Sequence, residues 1–139
     1  IDYKAGNLNE DLKNACPNGI DIYFENVGGP ATRAVAPLLN SGSRVPICGF
    51  ISQYNAPDML KVETPFQVLG ALDDKPKHRF FVVTEWANEW QQATQEILQL
   101  VLENKIKYKE TITKGFENAP QALRDVLTGK NFGKQIIEI

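Results

Sequence analysis

The sequence has few of the residues that cross-link small proteins or bind metals. It contains two cysteines, Cys16 and Cys48, and one histidine, His78, in 139 residues. A structural zinc site takes four ligands, so these three side chains would need several carboxylates beside them, and we predict no metal. Two thiols in different predicted elements favour a reducing compartment over a secreted disulfide scaffold, and we therefore expect a cytoplasmic protein.

An excess of positive charge is also missing. The formal net charge is -2, and lysines are spread along the chain among acids, so we predict no nucleic-acid partner. No apolar run approaches the roughly 20 residues that a membrane-spanning helix needs, and we predict no membrane partner. The composition, 42% hydrophobic and 23% charged, is typical of an ordinary globular domain.

A glycine-rich phosphate motif is the third absence. A dinucleotide site needs a turn such as G-x-G-x-x-G before a helix, because the backbone must approach the pyrophosphate closely, and no such motif occurs here. The run at 129–134, GKNFGK, is one residue short of P-loop spacing and follows a predicted helix. Residues Ile1 to Lys4 are typical of a strand already in progress. We expect a fragment that lacks the phosphate-binding turn.

What is present is an alternation of strands and helices. Apolar spacing and turn residues predict helices near 8–16, from Pro30 to a kink at Pro37, 65–72, 86–102 and 118–129, and strands at 20–24, 44–51, 80–83, 108–113 and 135–139. Strands that alternate with helices indicate an α/β fold with a parallel sheet.

In such a sheet, ligands bind beyond the carboxyl ends of the strands. The candidate segments are therefore Asn26 to Gly28 after the first strand, Cys48 to Tyr54 after the second and Val82 to Glu85 after the third. Each has a structural alternative. A glycine pair between strand and helix can serve a tight turn alone, and a free cysteine is often part of a core.

Tyr54 is the candidate proton donor. Its ordinary pKa of about 10 makes the phenol a plausible donor and a poor base at neutral pH, although it could simply pack in its loop. A Cys48 nucleophile is disfavoured, because His78 lies in a charged run typical of an exposed turn. The apolar stripe of Trp86, Trp90 and Ile97 is interpreted as structural core.

Three runs of the sequence resemble one family. They are GIDIYFENVGG (19–29), AVAPLLNSGSRVPICGFISQYN (34–55) and KIKYKETITKGFENAPQALRDVLTGKNFGKQII (105–137). These runs are similar to the C-terminal half of zinc-independent medium-chain dehydrogenase/reductases, in the branch of the prostaglandin reductases, plant alkenal double-bond reductases and bacterial curcumin reductase.

The resemblance implies a fold and a domain division. It implies the C-terminal half of a Rossmann parallel sheet with helices in three αβα layers, plus a C-terminal piece of the substrate domain. Residues 1–100 would be the partial cofactor-binding domain, and residues 101–139 would return to the substrate domain. Ile1 to Lys4 would end the strand that precedes the one at 20–24.

The resemblance also implies NADP as cofactor, with Tyr54 as the catalytic donor. The residues matched to cofactor contacts are Tyr3, Asn26, Cys48, Gly49, Ser52, Tyr54, Phe80, Phe81, Val82 and Asn131. Tyr3 matches a tyrosine near the phosphate on the adenosine ribose, which favours NADPH over NADH. Arg79 departs from the family pattern, where glycine is frequent.

The activity implied is hydride transfer from NADPH to the β-carbon of an α,β-unsaturated ketone or aldehyde, in an enzyme whose isolated C-terminal half is inactive. Two alternatives stay open: a non-catalytic nucleotide-binding or structural module of the same fold, and a redox sensor that uses Cys48. We expect a homo-oligomer, formed through a sheet edge exposed at 20–24 or through a dimer of the parent enzyme.

Overall fold

The computed structural model describes residues 1–3 and 5–139, which form two compact units, Ile1–Val82 and Val83–Ile139. A three-stranded sheet forms the first unit's centre, and a two-stranded sheet lies in the second. All the strand pairs described in both sheets are parallel. The predicted α/β class with parallel strands is therefore confirmed.

The first unit alternates strands and helices along its length. Its elements are α1 (Leu8–Ala15), β1 (Ile20–Ile22), α2 (Pro30–Val35), a 3-10 turn (Ala36–Leu38), β2 (Leu39–Ile47), 3-10 turns at Ile51–Gln53 and Met59–Lys61, α3 (Pro65–Gly70) and β3 (Lys77–Phe80). The strand order β1-β2-β3 makes β2 central, so the loops that follow β1 and β2 leave the sheet side by side.

The second unit carries the remaining elements. They are a 3-10 segment (Val83–Glu89), α4 (Trp90–Leu102), β4 (Glu110–Lys114), a 3-10 turn (Phe116–Asn118), α5 (Ala119–Leu127) and β5 (Lys134–Glu138). β4 and β5 pair in register from Glu110 opposite Lys134 to Lys114 opposite Glu138. Across the described part of the chain, each helix is too short or too polar to cross a bilayer.

The core of the first unit lies on one face of its sheet. Val45 and Ile47 point to that face from the central strand and pack with Leu69 of α3, and all three are at most 1% exposed. Side chains alternate between the faces of a strand, so Arg44 points to the other face, where it is exposed. Ile22 and Phe24 are also exposed, at 59% and 55%.

All three predicted strands of this sheet exist, but their boundaries were wrong. The strand predicted at 20–24 ends at Ile22, the one at 44–51 occupies Leu39–Ile47, and the one at 80–83 occupies Lys77–Phe80. Hydrogen bonding along β1 nevertheless continues beyond its end, because Glu25 forms a parallel bridge with Ile47. The sheet therefore still leads directly into both candidate loops.

Pro46 was the awkward residue for a central strand, and the structure shows how it is accommodated. Its carbonyl oxygen accepts the Glu25 N–H at 2.9 Å, so the residue still contributes one bond on the β1 side. Proline has no N–H to return a second bond to β1. β2 therefore keeps its central place with one ladder bond fewer.

The continuous apolar helix face predicted from Trp86 onward was wrong in two respects. Trp86 has φ −111° and ψ 31°, which is not helical, so α4 begins only at Trp90. No residue of α4 is buried, and Trp90 and Ile97 are 52% and 54% exposed. The stripe is therefore not a core of this chain.

Two further predictions concern the chain start and His78. Ile1 to Tyr3 lie in no strand, so the predicted strand end is wrong there, and its last residue, Lys4, lies outside the described residues. His78 is exposed as predicted, but it lies in β3 and not in a turn, with its ring 6.2 Å from that of Phe66.

Candidate functional site at the carboxyl ends of the strands

Two loops meet at the carboxyl end of the first sheet. The first, residues 25–29, follows β1, and the second, residues 48–54, follows β2. The Glu25 carbonyl oxygen accepts the N–H groups of Cys48, at 2.8 Å, and Gly49, at 3.3 Å. Because β1 and β2 are adjacent and parallel, the backbones of the two loops continue the pairing of the sheet.

The contact between the loops extends further along both chains. The Asn26 carbonyl oxygen accepts the Ile51 N–H at 3.2 Å, and the Val27 carbonyl oxygen accepts the Ser52 N–H at 3.0 Å. The side chains predicted to contact a ligand are therefore brought together from two separate parts of the sequence.

Two glycines permit this close approach. Gly28 has a φ of +78°, and a Cβ added there would stand 2.6 Å from the Cβ of Phe50 and 2.8 Å from Oε1 of Gln53. A side chain on Gly28 would thus be both conformationally strained and blocked by the second loop. At Gly49 an added Cβ would lie 2.5 Å from the Tyr54 hydroxyl oxygen.

Tyr54 is held over Gly49. Its hydroxyl oxygen accepts the Phe50 N–H at 3.2 Å, and its ring meets the Phe50 ring edge-on, with centroids 5.5 Å apart. Accepting that bond uses an oxygen lone pair and leaves the phenolic proton available to donate. The side chain is 53% exposed, so a ligand can reach it.

The other predicted residues of these loops surround Gly49 and Tyr54. Asn26 and Cys48 are exposed, and Oδ1 of Asn26 is 3.6 Å from the position of a Gly49 Cβ. Ser52 is exposed on the second loop, with its Oγ 3.2 Å from the position of a Gly29 Cβ. Asn26, Ser52 and Tyr54 thus bring neutral groups that are able to form hydrogen bonds to this surface.

The third strand brings Phe81 to the same edge. Its N–H donates to the Ile47 carbonyl oxygen at 3.1 Å, and its ring meets the Phe24 ring edge-on at 5.8 Å. Phe80 has its ring 6.5 Å from Phe66 of α3 and lies on the helix-covered face, and Val82 is 48% exposed.

Two predicted cofactor residues lie apart from these loops in the sequence. Tyr3 precedes α1 and is 61% exposed. Asn131 belongs to the second unit, where its Nδ2 donates to the Gly133 carbonyl oxygen at 2.8 Å and supports the turn before β5.

The sequence analysis gave no role to Glu25, which is fully buried between the two loops. Its Oε1 accepts the N–H groups of Val27 and Gly28, each at 2.8 Å, and its Oε2 accepts the Thr32 hydroxyl. An acidic residue soon after an apolar strand, directly before a glycine turn with N–H groups to satisfy, was the signal that could have identified it.

Tyr23 completes this buried network. Burial raises the pKa of its phenol well above the ordinary value, and the charge and hydrogen bond of the nearby Glu25 carboxylate raise this pKa further, while a bond with Thr32 opposes them. The phenol is therefore neutral at physiological pH and can donate to the carboxylate.

Comparison with known proteins gives the family. The family described as zinc-binding dehydrogenase matches residues 1–137. The chain belongs to this family. Its parallel sheet and the two loops beyond the strands are thus part of a known dehydrogenase fold.

Several members of the zinc-binding dehydrogenase family are closely similar to the chain. It is 42% identical to the NADPH-dependent curcumin reductase of Escherichia coli over 142 residues, which is 100% of this chain and 41% of that protein. It is 41% identical to prostaglandin reductase 1 of Sus scrofa over 132 residues, 94% of this chain and 40% of that protein. The chain thus spans about two fifths of the length of these relatives.

A solved structure supports the same relationship. The crystal structure of CurA in complex with NADPH from Vibrio vulnificus matches with a TM-score of 0.85 and 42% identity, over 99% of this chain and 42% of that one. The predicted resemblance is confirmed by the match to the family and by the sequence identity with the curcumin reductase.

The family description mentions zinc, but the residues of this chain do not fit a zinc site. Among residues 1–3 and 5–139, no group of three or more histidine, cysteine or acidic side chains could hold a metal ion. The single histidine, His78, lies in β3 with its ring 6.2 Å from that of Phe66 in α3. We therefore derive no chemical step through zinc.

Proposed function

We propose that the chain is part of an NADPH-dependent oxidoreductase that reduces the C=C bond of α,β-unsaturated ketones and aldehydes. The observation that carries this proposal is the 42% identity with the NADPH complex of CurA over 99% of the chain. That similarity includes the two loops at the carboxyl ends of β1 and β2, where ligands bind in open parallel sheets.

The chemistry of the loops fits the nicotinamide end of the cofactor. Asn26, Ser52 and Tyr54 offer exposed neutral hydrogen-bonding groups, which match ribose hydroxyls better than phosphate. The exposed Cys48 side chain is proposed to lie against the flat nicotinamide ring, and the buried Gly49 leaves room for the Tyr54 hydroxyl beside it. The backbone at 80–82 is proposed to bind the carboxamide of that ring.

Tyr54 is proposed as the proton donor of the reaction. Bound NADPH supplies the hydride for the β-carbon of the substrate. Charge then develops on the substrate carbonyl oxygen, and the Tyr54 hydroxyl, 53% exposed beside Gly49, stabilises it by donating a hydrogen bond. The α-carbon finally takes a proton, for which the same hydroxyl is the candidate.

Further assignments of residues and domains follow from the family resemblance. Tyr3 and Asn131 are proposed to contact NADPH. Residues 1–100 are proposed to form a cofactor-binding part, and residues 101–139 a substrate-domain part. Two free thiols are the basis for proposing a cytoplasmic protein.

We also propose self-association through the sheet edge at β1. Among residues 1–3 and 5–139, the strand order gives β1 a partner on one side only, and Ile22 is 59% exposed. Unpaired strand edges favour pairing with a second chain. Light scattering of the chain should give the mass of a dimer or larger assembly. The mass of a monomer at all concentrations would contradict this arrangement.

The activity is tested by comparing the isolated chain with the full-length polypeptide that carries it. Because the 139 residues hold no glycine-rich phosphate turn, we expect the isolated chain to bind NADPH weakly and to turn over no substrate. The full-length protein should consume NADPH when a small enone is added.

Two results would contradict the proposal. Tight, saturable NADPH binding by the isolated chain, measured by fluorescence, would show that the missing turn is not needed. A full-length protein that binds NADPH but oxidises none with any enone or enal would favour the non-catalytic module of the same fold.

A further inference from the structure

Glu25 is a buried acid that takes no part in the proposed reaction. It is 0% exposed, so its side chain cannot touch a ligand at the surface. Its backbone nevertheless joins both candidate loops, because its N–H donates to Pro46 and its carbonyl oxygen accepts from Cys48 and Gly49. Any movement of this residue would therefore move the second loop.

The side chain of Glu25 fixes the first loop in the same way. One carboxylate oxygen accepts the N–H groups of Val27 and Gly28 at 2.8 Å, and the other accepts the hydroxyl of Thr32 in α2. Asn26 lies inside this turn, between the acid and the two N–H groups that the acid binds. Its position therefore depends on the carboxylate.

The groups around the Glu25 side chain require an acceptor on both oxygens. Two backbone N–H groups donate to one oxygen and the Thr32 hydroxyl donates to the other. An ionised carboxylate only accepts, whereas a glutamine amide has one acceptor oxygen for the two backbone N–H groups and turns its NH₂ group toward the Thr32 hydroxyl, which must then accept instead of donate. Glutamine at this position would therefore remove the charge from the bonds to the backbone and reverse the bond to Thr32.

We propose that Glu25 is a positioning residue, whose carboxylate sets Asn26 and the loop at 48–54 in the geometry that receives the nicotinamide ribose. This inference rests on the proposed NADPH-dependent function. Glu25 thus controls the affinity for the cofactor, although its side chain has no access to it.

The first test needs no cofactor. Hydrogen exchange of the backbone amides is compared in the chain and in Glu25→Gln. We expect faster exchange at Gly49, Ile51 and Ser52, whose N–H groups bind the backbone of the first loop. Unchanged exchange across 48–54 would overturn the coupling of the loops.

The second test measures NADPH binding to the full-length protein. Loss of charged hydrogen bonds at Glu25 should raise Kd for NADPH by about tenfold or more in Glu25→Gln. Thr32→Val should raise Kd in the same direction, and Thr32→Ser, which keeps the hydroxyl, should restore it. An unchanged Kd in Glu25→Gln would overturn the positioning role.

Two control variants separate positioning from general destabilisation. Leu69→Ala removes a core side chain of α3 that packs against the same sheet, and it should lower the melting temperature while leaving Kd for NADPH nearly unchanged. Glu63→Gln removes an exposed carboxylate that binds Arg33 of α2 at 2.6 Å, and should change neither. If Leu69→Ala weakens NADPH binding as much as Glu25→Gln does, the role of Glu25 is only structural.

Failure of the proposed function looks different from failure of this inference. A full-length wild-type protein that binds no NADPH overturns the proposed function and, with it, the cofactor role of Glu25. The exchange measurement still decides whether Glu25 couples the two loops.

Discussion

At the level of single residues, the site depends on the absence of a Cβ atom at Gly49. The Tyr54 hydroxyl oxygen would be 2.5 Å from a Cβ at this position, whereas its ring carbon Cζ would be 3.7 Å away, an ordinary contact distance. The overlap therefore comes from one oxygen atom.

This geometry predicts a dependence between two substitutions. Gly49→Ala should destabilise the chain by about 1–3 kcal/mol, since the added methyl group displaces the hydroxyl. In Gly49→Ala/Tyr54→Phe the overlap is gone, so the double variant should lose less stability than the sum of the single variants. Urea unfolding measures all four proteins, and additive losses would reject the predicted overlap.

The Tyr54 hydroxyl also allows a kinetic prediction. In the full-length protein, Tyr54→Phe keeps the ring against Phe50 and removes the donor, so kcat should fall by about 100-fold with a small change in KM for NADPH. Tyr108→Phe removes an exposed phenol, 65% accessible, from the second unit and serves as the control. Equal rates in Tyr54→Phe and wild type would remove Tyr54 from the reaction.

The Tyr23 pKa predicts how stability changes with pH. The folded state raises this pKa above the ordinary value of about 10, mainly by burial and also through Glu25. The neutral phenol is thus favoured on folding, so its contribution is fully present below pH ~10 and is lost as pH rises above it. Denaturant unfolding should show an alkaline loss of stability that is smaller in Tyr23→Phe. An identical loss in this variant would contradict the assignment.

Glu25 shows what single-residue reasoning could not supply. The sequence indicated which strand ends carry polar groups, and the structure brings Asn26, Cys48, Gly49, Ser52 and Tyr54 together there. Glu25 follows an apolar strand and precedes a glycine turn, which is a signal in the sequence, but the burial of its side chain depends on which N–H groups the fold turns toward it. The exposed hydrogen-bonding residues could therefore be predicted from the sequence, and the burial of Glu25 could not.

At the scale of secondary-structure elements, the order and type of strands and helices were predictable, and several boundaries were not. β2 begins at Leu39, although residues 40–43 have the sequence of a turn. These residues form an irregularity in the pairing with β1, because the partner of Ile20 is Leu39 and that of Ile22 is Arg44. β3 begins at Lys77, in a charged run, because a strand at the sheet edge can keep its polar side chains in water.

The apolar stripe of α4 shows the limit of periodicity. Its spacing correctly predicts a helix, but periodicity reports only that one face is apolar and not what covers it. Trp90 is half exposed in the chain, whereas Leu69 of α3 is 0% exposed.

This contrast predicts different costs for two truncations. Leu69→Ala should destabilise the isolated chain by about 2–5 kcal/mol, because it leaves a cavity in the core. Trp90→Ala should cost less than Leu69→Ala, although it removes a larger side chain, because half of that side chain is already in water and its loss leaves no cavity. Thermal or urea unfolding of both variants tests this, and similar costs would mean that the α4 stripe is buried in solution.

At the scale of the whole molecule, the chain corresponds to about two fifths of its relatives. The E. coli curcumin reductase is matched over 41% of its length and the CurA chain over 42%. The matched part contains the carboxyl ends of three adjacent parallel strands, and no glycine-rich phosphate turn occurs among the 139 residues. This division is why the proposed role is limited to the nicotinamide end of the cofactor.

The loops at 25–29 and 48–54 are proposed to face the nicotinamide ribose. The most direct measurement is NADPH titration of the isotopically labelled full-length protein, followed by the backbone amide resonances. We predict saturable shifts at Asn26, Gly49, Ser52 and Tyr54, and smaller ones in the strand cores. Saturable binding that leaves these four amides unchanged would contradict the account.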